Sequence, residues 1–296
     1  MIRKRSKNLA SRQYDKRGLF VESLYRMRSN PGAMFGLAVL IITILMMVYS
    51  MIFISYADVI AINPSNRFAT PSVAHPFGTD NMGRDLLLRV IYGTRYSLAV
   101  GFGAIAFASI IGTFLGATAG YYGGMYEDIV MRASDVLASL PSLLLGMVIV
   151  TVLGNSLTVL ILAVGVSAVP NFIRMARASV ISVKGQEFVE ASHAIGMSNF
   201  RIVFSQVLPN SLSPLIVSVT TRMGSAITDA ASLSFLGFGI SAPRPEWGSL
   251  VSTGRTFVIE APHIALFAGL FIMITTFACA LLGDGLRDAL DPKLKK

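Results

Sequence analysis

The sequence predicts an all-α membrane protein with six transmembrane helices, and three observations carry that prediction. Of 296 residues, 53% are hydrophobic and only 14% are charged, whereas soluble domains carry about 25% charged residues. Several apolar runs reach the roughly 20 residues that cross a bilayer. Both ends are basic: residues 1–33 hold nine Lys or Arg (Arg3, Lys4, Arg5, Lys7, Arg12, Lys16, Arg17, Arg26, Arg28), and the chain closes on "DPKLKK". The positive-inside bias places both ends in the cytoplasm, which requires an even number of crossings.

The predicted spans are 34–56, 96–120, 129–153, 156–178, 212–232 and 262–282. The first run, Met34 to Tyr56, is too long for the apolar core of a signal peptide and lacks a small-residue cleavage site, so it is expected to remain as a span. The second carries Ala104, Ala108, Gly112, Gly116 and Gly120 on one helix face; small residues at that spacing let another backbone approach closely. Val136 to Val169 read as one helix would be roughly 50 Å long, against a hydrocarbon core of about 30 Å. Gly154-Asn155 divides it into a hairpin of the third and fourth spans.

The fifth span is the least apolar. Ser218, Thr221, Ser225, Thr228, Asp229 and Ser232 recur at i+3 and i+4 and form one polar stripe. A charge in a span normally faces a cavity or a partner. Two roles are open to the stripe: lining a translocation path, or hydroxyls bonded to their own backbone with Asp229 near the outer end in water. The sixth span holds the single cysteine, Cys279, which has no partner for an intrachain disulfide and reads as a small packed hydrophobe.

This topology puts 57–95 and 233–261 outside and 179–211 inside. It divides the chain into a basic cytoplasmic segment (1–33), a first helix with its outer loop (34–95), a core transmembrane domain (96–282) and a cytoplasmic tail (283–296). The net charge of +9 follows the span ends, not a folded basic face, so nucleic acid is not an expected partner. Arg287 and the terminal lysines suit lipid phosphates. No G-x-x-x-x-G-K-[ST], H-E-x-x-H, G-x-S-x-G or C-x-x-C occurs, and His75, His193 and His263 fall in different compartments, so neither a catalytic centre nor a metal site is expected. A transporter without its own energy source runs downhill, uses an ion gradient, or borrows ATP from a partner.

The cytoplasmic segment discriminates among these. "KGQEFVEASHAI" (184–195) is a short helix candidate ended by Gly196, which takes the left-handed conformation without a Cβ penalty. Ser198 can cap a second helix, "NFRIVFSQVL", which Pro209 closes. This helix–turn–helix resembles the cytoplasmic E-A-A-x(3)-G…I-x-L-P motif of binding-protein-dependent ABC importer permeases. The matching residues are Glu190, Ala191, Ser192, Gly196, Leu208 and Pro209; Ser192 replaces the second Ala and Gln206 the Ile. "HPFGTDNMGRDLLLRVIYGTRYSL" (75–98), "ASLSFLGFG" (231–239), "PEWGSLVSTGR" (245–255) and "LGDGLRDALDP" (282–292) resemble the dipeptide, oligopeptide and nickel permease group, and "RSNPGAMFGL" its C-type subunit.

The resemblance implies a type I ABC importer (MetI-like) permease fold in the plasma membrane of a prokaryote. It implies a coupling helix at 184–200, with Glu187, Glu190, Ala191, Ser192, Gly196, Leu208 and Pro209 forming the ATPase-coupling site. The implied partners are a second permease subunit, two ATP-binding subunits that hold ATP and Mg, and an extracytoplasmic substrate-binding protein; no cofactor is expected in this chain. The implied cargo is a dipeptide or oligopeptide, with nickel, glutathione or oligosaccharide as alternatives. An ion-coupled secondary transporter and a membrane scaffold are the more distant alternatives. Within the outer segments, Asp85 and Arg89 are spaced to pair on a helix. Trp247, the only tryptophan, suits a membrane–water interface. Arg244, Glu246 and Trp247 are the implied binding-protein contact, with interface anchoring as the other role open to this loop.

Overall fold

The computed structural model describes residues 27–290; the basic run at 1–26 and the closing "DPKLKK" lie outside the described residues. The helices in chain order are α1 (Pro31–Phe53), α2 (Tyr56–Ile60), α3 (Leu86–Tyr122), α4 (Gly124–Ser139), α5 (Ser142–Leu153), α6 (Leu157–Lys184), α7 (Glu187–Ala194), α8 (Asn199–Asn210), α9 (Leu212–Phe235), α10 (Trp247–Thr256) and α11 (His263–Leu290). No strand forms among the described residues. Helices α1, α3, α6 and α11 are each long and apolar enough to cross a membrane. The number rises to six if the bent pairs α4–α5 and α8–α9 each count as one crossing.

The α3–α6 pair is the most extensive contact of the bundle, and the small-residue stripe explains it. A Cβ added at Gly112 would press on Phe172, one at Gly116 would overlap the Ile173 carbonyl, and one at Gly120 would meet the Arg177 carbonyl. The two backbones therefore touch along this seam, as lipid-embedded helices do when small residues permit it. Pro170 lies inside α6 and the helix continues through it. Neighbouring protein shelters the freed backbone group, since Val169, Pro170 and Phe172 are all buried.

The predicted third span, 129–153, is not one helix. Helices α4 and α5 meet at 89°. The break falls at Leu140-Pro141, where Leu140 is extended (φ −89°, ψ 133°), as the residue before a proline prefers. The second break, at Gly154-Asn155, is where the sequence places it: Gly154 has φ +89°, and Ser156 caps α6 by accepting from the Val159 N–H at 3.2 Å. Helix α4 is polar, and ion pairs hold it to α6: Arg177 with Glu127, and Arg174 with Asp135 at 3.3 Å.

Around α9, Gly224 packs on Thr276 and Cys279 of α11. Cys279 is fully buried, the packed hydrophobe that the sequence predicts. Helix α1 lies against α11, where Gly36 meets the Ala278 and Leu282 backbone. Arg95 ties the last turn of α1 down: its Nε donates to Ser50 Oγ at 2.8 Å, and its guanidinium reaches the Ser50 and Ile54 carbonyls. A cation there complements the negative end of the helix dipole.

Candidate functional site

Three neighbourhoods carry the sequence-predicted residues. The first is the hairpin of α7 and α8. Gly196 has φ +79°; its N–H bonds the His193 carbonyl and the Met197 N–H bonds the Ser192 carbonyl at 3.1 Å, a helix stop that only a left-handed residue permits. Val189, Ile202 and Val207 pack with Ala117, Val180 and Val183 into a small core. That core, with a hydrogen bond from Lys184 Nζ to the Gly120 carbonyl at 2.8 Å and one between Tyr121 and His193 at 3.0 Å, fastens the hairpin to the ends of α3 and α6.

Glu187, Glu190, Ala191, Gly196 and Pro209 are exposed on this hairpin. Two other members of the predicted coupling set face inward. Ser192 is only 7% exposed, and its Oγ donates to the Phe188 carbonyl; it replaces alanine on the packed side, where a small residue is needed. Leu208 is partly buried against the core. Ser198 occupies the cap position of α8, but its side chain makes no capping bond. Pro209 does not close α8, which runs through a π turn at Val203–Val207 to Asn210 before bending 63° into α9. Sequence reasoning missed Ile195, one turn after Ala191, and Phe200 at the start of α8, which are 77% and 65% exposed. Large apolar side chains so exposed on a polar hairpin mark a contact surface.

The second neighbourhood is the stripe on α9. Ser218, Thr221, Ser225, Arg222, Asp284 and Arg287 line a cavity of about 730 Å³ with Met175 and Val217. A smaller one of about 130 Å³ adjoins it, lined by Ser142, Ser167, Asn171, Arg222, Ser225 and Asp229. Arg222 and Ser225 border both. Thr228 and Ser232 lie farther along, at an apolar pocket against Phe235 and Ile272. Thr221, Thr228 and Ser232 each also donate to a carbonyl of their own helix. The stripe thus combines hydroxyls bonded to their own helix with a face that borders a cavity. Asp229 is partly buried and lines the smaller cavity. Sequence reasoning missed Arg222, although it stands four residues from Ser218 and three from Ser225 on the same face.

The third neighbourhood is built by 57–95 and 233–261, which pack on each other. Arg244 is exposed in a cavity of about 780 Å³ with Arg84, Asn155 and Ser241. Glu246 and Trp247, expected at a binding-protein contact or the membrane interface, are buried instead (1% and 0% exposed). Trp247 Nε1 donates to the Val90 carbonyl at 3.0 Å. Glu246 caps α10, accepting from the Gly248 and Ser249 N–H groups at 2.9 and 3.0 Å. Burial pushes the Glu246 carboxyl above its ordinary value, and the Gly248 and Ser249 bonds oppose that rise. A raised folded value favours the protonated form, so its contribution to stability is present below the unfolded value of about 4.5 and is lost as pH rises through the folded one. Thermal unfolding of the wild-type complex should therefore show a loss of stability over that window that Glu246→Gln lacks; an identical pH profile for both would remove this assignment.

The expected Asp85–Arg89 pair does not form. Asp85 caps α3 through the Leu88 N–H at 2.9 Å and bonds His75 at 2.7 Å. Arg89 turns to Asp80 and the Val59 carbonyl. His263 bonds the Thr79 carbonyl at 3.0 Å, locking this knot to α11. No group of His, Cys, Asp and Glu among the described residues could hold a metal ion.

This architecture has known counterparts. Residues 112–296 match the family described as "Binding-protein-dependent transport system inner membrane component". The chain is 45% identical over 276 residues to the dipeptide transport system permease protein DppC of Alkalihalophilus pseudofirmus, covering 93% of this chain and 90% of that protein. It is 43% identical over 225 residues to the glutathione transport system permease protein GsiD of Pectobacterium atrosepticum, covering 76% and 75%. Its fold is similar to a chain of the inward-facing MetNI methionine ABC transporter, with a TM-score of 0.57 at 19% identity over 70% of this chain and 98% of that one. With this helical bundle and a match over most of its length, the chain belongs to the family of binding-protein-dependent transport system inner membrane components, as a multi-pass permease subunit of an ABC importer.

Proposed function

We propose that this permease subunit imports short peptides and that its α7–α8 hairpin is the point at which ATP hydrolysis on partner subunits reaches the membrane. The observation that carries the reading is the hairpin itself. It has its own small core, exposes Glu187, Glu190, Ala191 and Ile195, and is fastened to the two helices that form the central seam. A rigid projection of that kind transmits force; a slack connecting loop does not.

In this reading both termini and the hairpin are cytoplasmic, on the positive-inside bias. A second permease subunit completes the cavity, two ATPase subunits bind ATP and Mg below, and a binding protein delivers cargo from outside to the face that bears Arg244. The chain itself is non-catalytic. The peptide assignment is supported by the DppC relative, and the GsiD relative favours a second cargo, the tripeptide glutathione. The test is uptake of labelled dialanine into proteoliposomes that hold the complete complex and its binding protein. Uptake should require ATP and persist when ion gradients are collapsed. Uptake driven by an ion gradient without ATP would overturn the reading in favour of a secondary transporter.

A further inference from the structure

Two charges in α9 have no hydrogen bond or ion pair among the described residues: Arg222 and Asp229. Both are partly buried in a membrane helix, where an unpaired charge is costly and normally marks a pathway. They stand seven residues apart, two turns of the helix, and so lie on one face about 10 Å apart along its axis. Both face the same space. Arg222 stands at the junction of the two cavities, and Asp229 lies in the smaller one with Asn171, Ser142 and Ser167. Other charged groups near this space are Asp284 and Arg287, which border the larger cavity.

We infer that Arg222 and Asp229 form a charge pair that reads a free peptide by its two ends, Arg222 taking the α-carboxylate and Asp229 the α-ammonium. A guanidinium meets a carboxylate with two parallel hydrogen bonds, and an ammonium donates to a carboxylate. A peptide extends at most about 3.3–3.6 Å per residue, so two or three residues span roughly 7–11 Å, the separation of the pair along α9. A zwitterion of that length neutralises both partly buried side chains at once. A peptide blocked at one end leaves one charge stranded, and this difference is the source of selectivity. Ser225, which borders both cavities, lies between the two charges and is free to bond the peptide backbone.

This inference rests on the importer reading, and the experiment separates the two. In proteoliposomes with the binding protein saturated by dialanine, Arg222→Gln and Asp229→Asn should each lower uptake about tenfold or more, the scale of one lost hydrogen bond to a charged group. Arg222→Lys should keep most of it. ATP hydrolysis stimulated by the binding protein, and recovery of the assembled complex, should stay within about twofold of wild type in all three, since the pair acts on cargo and not on coupling. Uptake by both neutral variants at the wild-type rate would overturn the pair alone. So would a parallel fall in assembly or ATP hydrolysis, which would make Arg222 a structural partner of the second permease subunit. Wild-type complex that hydrolyses ATP with its binding protein yet takes up no dialanine would overturn the peptide reading and the pair together.

Discussion

Asp80→Ala should destabilise the complex by about 3–5 kcal/mol, the cost of removing one member of a buried ion pair and leaving charge behind. Asp80 is 1% exposed and is the acceptor on which a turn is built. Its Oδ1 takes the Met82 N–H at 2.8 Å and the Arg84 N–H at 3.0 Å, its Oδ2 takes Arg84 Nε at 2.7 Å, and Arg89 Nε stands 3.4 Å from that oxygen as an ion pair without a hydrogen bond. Two arginines, 8% and 5% exposed, depend on this single carboxylate. Its loss strands both guanidinia; Arg89 keeps only the Val59 carbonyl at 3.2 Å. The check is thermal unfolding of the solubilised complex beside two companions. Asp80→Asn keeps an acceptor for the turn and should lose less. Asp80→Ala combined with Arg84→Met and Arg89→Met removes the stranded charges and should recover much of the loss, because an apolar replacement of a buried ion cluster is often neutral. A loss under about 1 kcal/mol in Asp80→Ala would show that water reaches the arginines.

That carboxylate also shows where reading by pattern ends. Hydropathy places α1, α3, α6 and α11 because each is a long apolar run, and the small-residue stripe identifies the α3–α6 seam because close packing in lipid requires it. Gly196 and Gly154 are legible as stops because a left-handed residue is demanded at each. The bend between α4 and α5 is absent from the predicted spans: Pro141 marks it, but an average over the apolar run 129–153 hides a local break. Asp85 satisfies the spacing rule for pairing with Arg89, yet a residue at a helix start spends its carboxylate on the cap.

The outer region could not be read from spacing at all. Trp247 is buried because Val90 and Phe271, far away in sequence, close over it, and no local pattern encodes that contact. The site divides in the same way. Exposure of Glu190 and Ala191 follows from helical phase, whereas Ser192 turns inward only because Val189 and Ile202 draw that face onto the ends of α3 and α6. Arg222 is not legible in the stripe because a single cation in a span carries no pattern of its own, and only the cavity gives it a place.

The hairpin yields the other large expected effect. Glu190→Ala combined with Gly196→Pro should lower recovery of an ATPase subunit with the solubilised chain, and ATP-dependent uptake with it, by at least about tenfold, the scale of a hot-spot truncation. The proline acts on the backbone. Gly196 sits at φ +79°, while proline is held near −65°, and its missing N–H removes the bond to the His193 carbonyl at 2.9 Å. The turn between α7 and α8 must then open, and the exposed face that Glu190 shares with Ala191 and Ile195 loses its register. Ile195→Asp provides the surface counterpart. It is 77% exposed, so the substitution leaves the small core of Val189, Ile202 and Val207 intact while placing a charge where an apolar contact is expected. It should reproduce the loss of ATPase recovery without changing the unfolding temperature of the chain. Together the two variants separate the shape of the hairpin from the chemistry of its face. Loss in the double variant alone would make the hairpin a strut whose contact lies elsewhere, and full recovery in both would detach it from the ATPase. Loss in both, with the chain still folded, would place the transfer of force on the face formed by Glu190, Ala191 and Ile195, from which it reaches α3 and α6 through the core beneath.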